Sequence, residues 1–367
     1  MNHLYQQATA LLKQLIAIPS FSKAEDKTAQ LLADCLEGQG IPISRKGNNI
    51  WAISADFAPS KPTLLLNSHH DTVRPAPTYT RDPFQAVVED GKLYGLGSND
   101  AGGALVSLLF TFVHFRANDL PFNLCFLASA EEEISGHGGV ESVLGELPPI
   151  WTGIVGEPTL LQMAVAEKGL MVLDGLAEGK SGHAARDEGV NAIYKAMEAI
   201  QLLKDFSFEE TSPLLGPVKV SVTQVEAGSQ HNVVPDACRF VVDVRTTECY
   251  SNEQVLAHLQ AAVACQLTPR SLRLQPSGIP LDHPLVQAGQ QLGMHTYGSP
   301  TLSDQALMPF PTLKLGPGDS ARSHTADEFI YISEIEEGIE TYIHLINQLA
   351  HQLQSSNYET LAKIRHA

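Results

Sequence analysis

The N-terminal forty residues place apolar side chains at helical spacing between polar ones, which predicts helices over 3–17 and 24–38. Short apolar runs then follow at 49–54, 63–68 and 123–129, with "TGIVG" at about 152–156, and these read as strands. Between the second and third runs, Ala, Leu and Val repeat over 101–116 after a glycine pair, as in a helix. Strands alternating with helices predict an α/β sheet with a parallel component. The pattern changes near Lys168. From there it reads strand 170–178, helix 190–204, strands 217–226 and 237–246, helix 251–264 and strand 267–274. That is close to a βαββαβ order, an α+β sandwich of ferredoxin-like type. After "PSGIPLDHP" the α/β character returns, with a strand at 311–316 and a long helix over 333–353. The predicted organisation is an α/β domain in two parts, 1–168 and 279–367, interrupted by an inserted α+β domain at 169–278. The closing "SSNYETLAKIRHA" reads as a polar tail.

Length supports two domains, because 367 residues exceed one typical core. With 24 basic and 41 acidic residues the formal net charge is −17, which argues against non-specific binding to nucleic acid or to anionic membranes. No apolar run approaches membrane-spanning length. The start, "MNHLYQQATALLKQLIAIPS", reads as an amphipathic helix rather than a signal peptide. Five cysteines without a CxxC pair, Cys35, Cys125, Cys238, Cys249 and Cys265, read as reduced thiols in a cytoplasmic protein.

Polar chemistry collects where the strands end. "LLLNSHHDTVRP" delivers His69, His70 and Asp71 just past an apolar run. In an extended H-x-D segment the first histidine and the aspartate share a side, so His69 suits a ligand, Asp71 its orienting partner, and His70 points away. "GLGSNDAGG" sets Asp100 before a helix, where it is either an N-cap or a carboxylate bridging two cations. "LASAEEEISG" places Glu131, Glu132 and Glu133 at the end of a strand, where their mutual repulsion calls for a cation or a shared proton. Glu157 in "IVGEPT" and His324 in "SARSHTADEF" complete the set. Each fragment alone also fits an ordinary polar loop. Together, hard carboxylate oxygens and two imidazoles suit a pair of zinc, cobalt or manganese ions. Serine-hydrolase, dinucleotide-binding and Walker A signatures are absent.

These residues, in this order, resemble the family of acetylornithine deacetylases, succinyl-diaminopimelate desuccinylases, aminoacylases and related zinc exopeptidases. The resemblance covers nearly the whole chain. It implies a mixed-sheet zinc-exopeptidase-like catalytic domain with an inserted dimerisation, or lid, domain. It implies two Zn2+ per subunit, with Co2+ or Mn2+ as substitutes. His69, Asp100 and Glu157 would hold one metal, and Asp100, Glu133 and His324 the other. Asp71 would orient His69, Glu132 would be the general base, and the peptide after Asp100 is typically cis in that family.

In the inserted domain, His183 of "SGHAAR" matches a histidine that reaches the partner subunit's site in a homodimer. Asn232 of "HNVVPD" and Arg245 of "VDVRT" match residues at the substrate's carboxylate end. Lys168 of "AEKG", and Ser303 and Asp304 of "GSPTLSD", match positions lining the substrate cleft. Phrases such as "AEKGLMVLD" and "GSQHNVVPD" are most similar to the acetylornithine, or N-acylcitrulline, deacetylase branch. The implied activity is metal-dependent hydrolysis of an N-acylated amino acid in arginine biosynthesis. The substrate would be N2-acetyl-L-ornithine, or an acetyl or succinyl form of ornithine or citrulline. A dipeptide or tripeptide exopeptidase, and a non-catalytic binding protein on the same fold, are the alternatives.

Overall fold

The protein is described here from a computed structural model covering residues 1–355, so the tail read at 355–367 lies outside the described residues after Ser355. The chain packs into two compact units. Of the described residues, one comprises Met1–Val165, Gly278–Tyr297 and Ser303 to Ser355; the other comprises Ala166–Ser277 with Gly298–Leu302.

The larger unit is built on a mixed sheet. Its strands run in the order 44–46, Asn49–Ile53, Asn123–Ser129, Thr63–His69, Thr152–Val155, Thr312–Lys314 and Met163–Glu167. The central pairings, from Asn123–Ser129 to Thr312–Lys314, are parallel. Asn49–Ile53 joins Asn123–Ser129 antiparallel. The central strands are buried along their whole length, as a sheet covered on both faces requires.

One face packs on a layer of helices. Asn2–Ile16 buries Tyr5, Ala8, Leu11, Leu12, Leu15 and Ile16, a stripe at helical spacing. Gly103–Phe115 is apolar nearly all round and almost wholly buried; its Ser107 and Thr111 hydroxyls donate to the carbonyls four residues back, so no polar group is stranded. Ile332–Ser355 lays Ile335, Ile339, Tyr342, Ile346 and Leu349 on the same core, and the Tyr342 hydroxyl donates to Leu315 O at 2.6 Å. The opposite face holds Leu65, Leu127 and Val155 under Met308, Leu307 and Phe310.

The smaller unit is a four-stranded antiparallel sheet in the order Lys219–Ala227, Ala237–Thr246, Gly169–Glu178, Gln266–Pro269. Numbered along the chain, that is 2-3-1-4, the sheet order of a βαββαβ unit. Helices Ala192–Asp205 and Asn252–Ala262 bury Ala192, Ala196, Ala199, Leu203, Val255 and Leu259 in its core. The second helix starts with a capping box between Ser251 and Gln254. A short ribbon, Gly182–His183 with Val233–Val234, continues beyond one end of the sheet.

Several elements departed from the sequence reading. The last strand of the insert spans only Gln266–Pro269, because Pro269 ends the ladder. The helix Pro284–Gln291 and the strands Val87–Glu89, Lys92–Tyr94 and Phe329–Tyr331 were not expected. The helix is two turns long, and the strands are three residues each, too short for a periodic signal. All five cysteines are free, and no helix among the described residues is long and apolar enough to cross a membrane.

Candidate metal centre

Parallel strands end on one side of a sheet, so their C-terminal loops converge. His69 is the last residue of Thr63–His69, and Glu132 and Glu133 follow Asn123–Ser129. Glu157 follows Thr152–Val155. Asp100 comes from the turn Ser98–Gly102 that opens the buried helix, and the Asp100–Ala101 peptide is cis. Gly97 enters that turn at φ 74°, and a side chain there would meet Thr72.

His69 is the hub. It is 1% exposed, and its Nδ1 lies 3.0 Å from the carbonyl oxygen of Asp71. A carbonyl only accepts, so in the neutral ring Nδ1 carries the proton and Nε2 the lone pair. That lone pair faces Asp100 Oδ1 at 3.3 Å, Glu157 Oε1 at 3.7 Å and Glu132 Oε2 at 3.9 Å. The other oxygen of Asp100, Oδ2, lies 3.7 Å from His324 Nε2, which is 3.0 Å from Glu133 Oε2. The two carboxylate oxygens of Asp100 thus face two different histidines.

Without a cation this arrangement binds protons. Burial opposes a charge on His69, but Glu132, Asp100, Asp71 and Glu157 outweigh it and raise its pKa well above the usual imidazole value. Burial raises Glu132 well above the carboxylate range and pushes Glu157 up to about 8. Hydrogen bonding to Glu133 lifts His324 to about 9. Two groups of ligand atoms lie close enough to hold an ion: His69, Glu132 and Glu157, and His69, Asp100 and Glu133. The donor set therefore fits divalent metal: oxygen-rich, with aligned imidazole nitrogens, and carrying more negative charge than its own cations offset.

Asp71 contacts more than His69. Its carboxylate sits 3.5 Å from Nδ1, farther than its own carbonyl. It accepts hydrogen bonds from Ser22 Oγ at 2.6 Å and from the backbone N–H groups of Glu132 and Glu133 at 3.0 and 3.2 Å. Burial would raise its pKa, but the contacts with His69 and Ser22 win and lower it. Asp71 thereby fixes the 3₁₀ turn Glu132–Ile134, which Glu131 enters at φ 55°. Glu131 itself turns away, accepting from the N–H of Gly138. His70 also points away, to Thr28 Oγ1 and to the carbonyl of Asn48, both at 2.9 Å.

Sequence reasoning missed three supports. Glu328, 2% exposed, accepts from the N–H groups of Gly97, Asn99 and Asp100 at 2.8–3.0 Å and so holds the Asp100 turn; burial raises it to about 8. Glu25 accepts from the N–H of Glu131, and Ser22 donates to Asp71. No local pattern marks these residues. Glu328 stood in the quoted "SHTADEF", and its place before an apolar strand was the one available signal.

The second set of candidates is not gathered in the same way. Asp304 is 4% exposed and accepts from Ser129 Oγ at 2.5 Å and Asn67 Nδ2 at 3.1 Å. Ser303 is also buried, and its hydroxyl caps the turn Asp304–Leu307. In the smaller unit, Lys168 Nζ donates to Pro217 O at 2.7 Å, and burial lowers its pKa. Arg245 forks onto Asp243, with Nε–Oδ1 2.8 Å and Nη2–Oδ2 3.1 Å.

His183 is exposed in the short ribbon; it pairs with Val233, and the adjacent Ala184 N–H donates to Asn232 O at 3.0 Å. Joint capture of one carboxylate by Arg245 and Asn232 of the same chain is excluded. Arg245 lies opposite Lys219 at one end of the strand pair, whereas Asn232 follows the end where Ala227 meets Cys238. Seven residues of strand separate those ends, about 23 Å at ~3.3 Å per residue.

The profile of peptidase family M20/M25/M40 matches residues 65–348, which takes in every one of these strand ends. The chain belongs to that family. Among curated relatives, the acetylornithine deacetylase of Proteus mirabilis is 30% identical over 359 residues, covering 89% of this chain and 92% of that protein. The acetylornithine deacetylase of Klebsiella pneumoniae is 31% identical, covering 93% of this chain and 96% of that protein. Among solved structures, a tripeptidase from Staphylococcus aureus superposes with TM-score 0.78 at 20% identity, covering 95% of this chain and 99% of that one. The Bacillus subtilis YXEP protein, a dinuclear metal-binding peptidase, gives 0.73 at 18% identity, covering 96% and 99%. At those identities the M20 structures establish the fold, a mixed-sheet α/β architecture. Membership places the chain among metal-dependent amide hydrolases.

Proposed function

We propose that this M20 protein is a zinc-dependent deacylase of N-acylated amino acids, and that N2-acetyl-L-ornithine or an acetyl or succinyl form of ornithine or citrulline is its substrate. The observation that carries the chemistry is the doubly faced Asp100, with His69 on one oxygen and His324 on the other. The substrate class rests on the deacetylase relatives, which match over nearly the whole chain. Arginine biosynthesis in the cytoplasm is the corresponding setting.

His69, Asp100 and Glu157 would hold one metal, and Asp100, Glu133 and His324 the other. Bound there, divalent metal supplies Lewis acidity to water and to the acyl carbonyl. The chain's own part is proton handling and positioning. Glu132, held by the Asp71-capped turn, takes the proton of the attacking water and returns it to the leaving amine. Arg245, released from Asp243, offers a planar fork for the α-carboxylate.

His183 and Asn232 act on the site of a second copy, His183 on the carbonyl oxygen as it gains charge. The strand Lys219–Ala227 is the edge of its sheet, and the neighbouring helix exposes Tyr194 and Met197 at 66% and 60%. An open nine-residue edge beside exposed apolar side chains suits pairing with the same element of a partner. A homodimer through the inserted unit follows.

The test is a mass-spectrometric hydrolysis panel on zinc-loaded protein with a chelated control. It contains N-acetyl and N-succinyl forms of ornithine and citrulline and a few dipeptides. Zinc-dependent release from an acylated amino acid supports the reading. Cleavage of dipeptides alone overturns it in favour of an exopeptidase, which the tripeptidase-like fold also accommodates.

A further inference from the structure

Beside the metal centre lies a set of buried amides with no protein partner. Leu127, Asn67, Val155 and Lys314 stand side by side, in register, on one face of the sheet. The segment with Leu307, Met308 and Phe310 covers that face. Asn67 uses its Nδ2 to donate to Asp304, while its Oδ1 has no partner. Gln305, next in the chain to Asp304, is 0% exposed, and both its Oε1 and its Nε2 are without a partner. A buried amide left unpaired is costly, and native interiors rarely keep such atoms without water or a ligand to satisfy them. The place is close to the chemistry, because Asn67 lies two residues before His69 in one strand, and Ser129, which donates to Asp304, lies three residues before Glu132.

We propose that Gln305 and Asn67 form a subsite for the polar end of the substrate side chain, and that this end is a neutral carboxamide or ureido group. The inference rests on the deacylase reading and narrows its substrate class. The open atoms are one donor, Gln305 Nε2, and two acceptors, Gln305 Oε1 and Asn67 Oδ1. A carboxamide or ureido group supplies the complement: a carbonyl for the donor and N–H groups for both acceptors. A carboxylate only accepts, so it would face two acceptors. An ammonium only donates, so it would leave Gln305 Nε2 unpaired. A site built to hydrogen-bond a polar group discriminates strongly against analogues that lack it.

Kinetics on the metal-loaded full chain test this with N-acetyl-L-citrulline, N-acetyl-L-glutamine, N-acetyl-L-ornithine and N-acetyl-L-norleucine. The wild type should favour the ureido and carboxamide substrates over ornithine by about tenfold or more in kcat/KM. Gln305→Met should abolish that preference while changing the norleucine rate little. Gln305→Glu, which keeps the shape but adds a negative charge and removes the donor, should move the preference toward ornithine. A preference for ornithine in the wild type, or an equal loss on all four substrates in both variants, overturns the subsite. No hydrolysis of any of the four by the wild type overturns the deacylase reading instead. Calorimetric titration of metal-loaded Glu132→Gln protein with the citrulline and ornithine derivatives then decides the subsite alone. Tighter binding of the citrulline derivative sustains it, and equal affinity overturns it.

Discussion

The two units handle their functional residues in opposite ways. In the larger one, six side chains from five separate segments meet within a few ångströms of His69 and His324, and buried partners hold them there. In the smaller one, His183 and Asn232 lie at one end of the sheet and Arg245 at the other. The reason is topological. Parallel strands send their C-terminal loops to one edge, whereas an antiparallel sheet alternates its connections between two edges. A single chain therefore gathers the candidate metal ligands and leaves the insert's residues apart.

The sharpest way to test the first half of that contrast is Glu132→Gln. It should retain metal by elemental analysis and lose about 10²–10⁴ in kcat; an unchanged rate would remove Glu132 as the base. The second half is tested by complementation. His183→Ala should cost about 10²–10³ in kcat, as loss of an oxyanion donor does. Mixing it with Glu132→Gln protomers should restore part of the activity after subunit exchange. No recovery despite exchange demonstrated by mass would mean that His183 serves its own chain or none.

Asp71→Asn probes the supports. It should weaken metal binding about 10–100-fold, read by competition with a chromogenic chelator, because a ligand's outer partners set its orientation. Unaltered affinity would show that the Asp71 carbonyl suffices.

Stability against pH gives a smaller, graded effect. In metal-free protein, burial lifts Glu157 and Glu328 to about 8 and Asp304 to about 6, and Glu133 lifts His324 to about 9. All four bind their protons more tightly folded than unfolded. Their contribution is complete below the ordinary carboxylate and imidazole values and is lost as pH rises through about 6 to 9. The Tm of chelated protein should fall over that window. The loaded protein should hold its Tm there, since metal replaces the protons. Identical profiles with and without metal would contradict the centre. The smallest effect expected is that of Ser22→Ala, about 1 kcal/mol for one hydrogen bond to a buried carboxylate, measured by denaturant unfolding of the loaded protein.

Much of this was readable beforehand. Apolar runs marked the central strands, since a doubly covered strand has no polar face to interrupt it. The residues just past those runs are the ones that converge. The change of pattern near Lys168 coincides with the passage from one packed unit to the other. Short edge strands were not readable, because three residues carry no period.

What the sequence by itself determined is the succession of strands and helices and the kinds of side chain at the strand ends. Those depend on local spacing, which the chain carries wherever it goes. The tertiary structure alone decided which carboxylates are buried and by whom they are held. Glu328 becomes a clamp only because the Asp100 turn closes on it, and Asp304 is buried because Asn67 and Ser129 both donate to it. Burial and hydrogen-bond partnership are properties of the packed assembly, made by residues more than 150 positions apart, and no spacing along the chain encodes them.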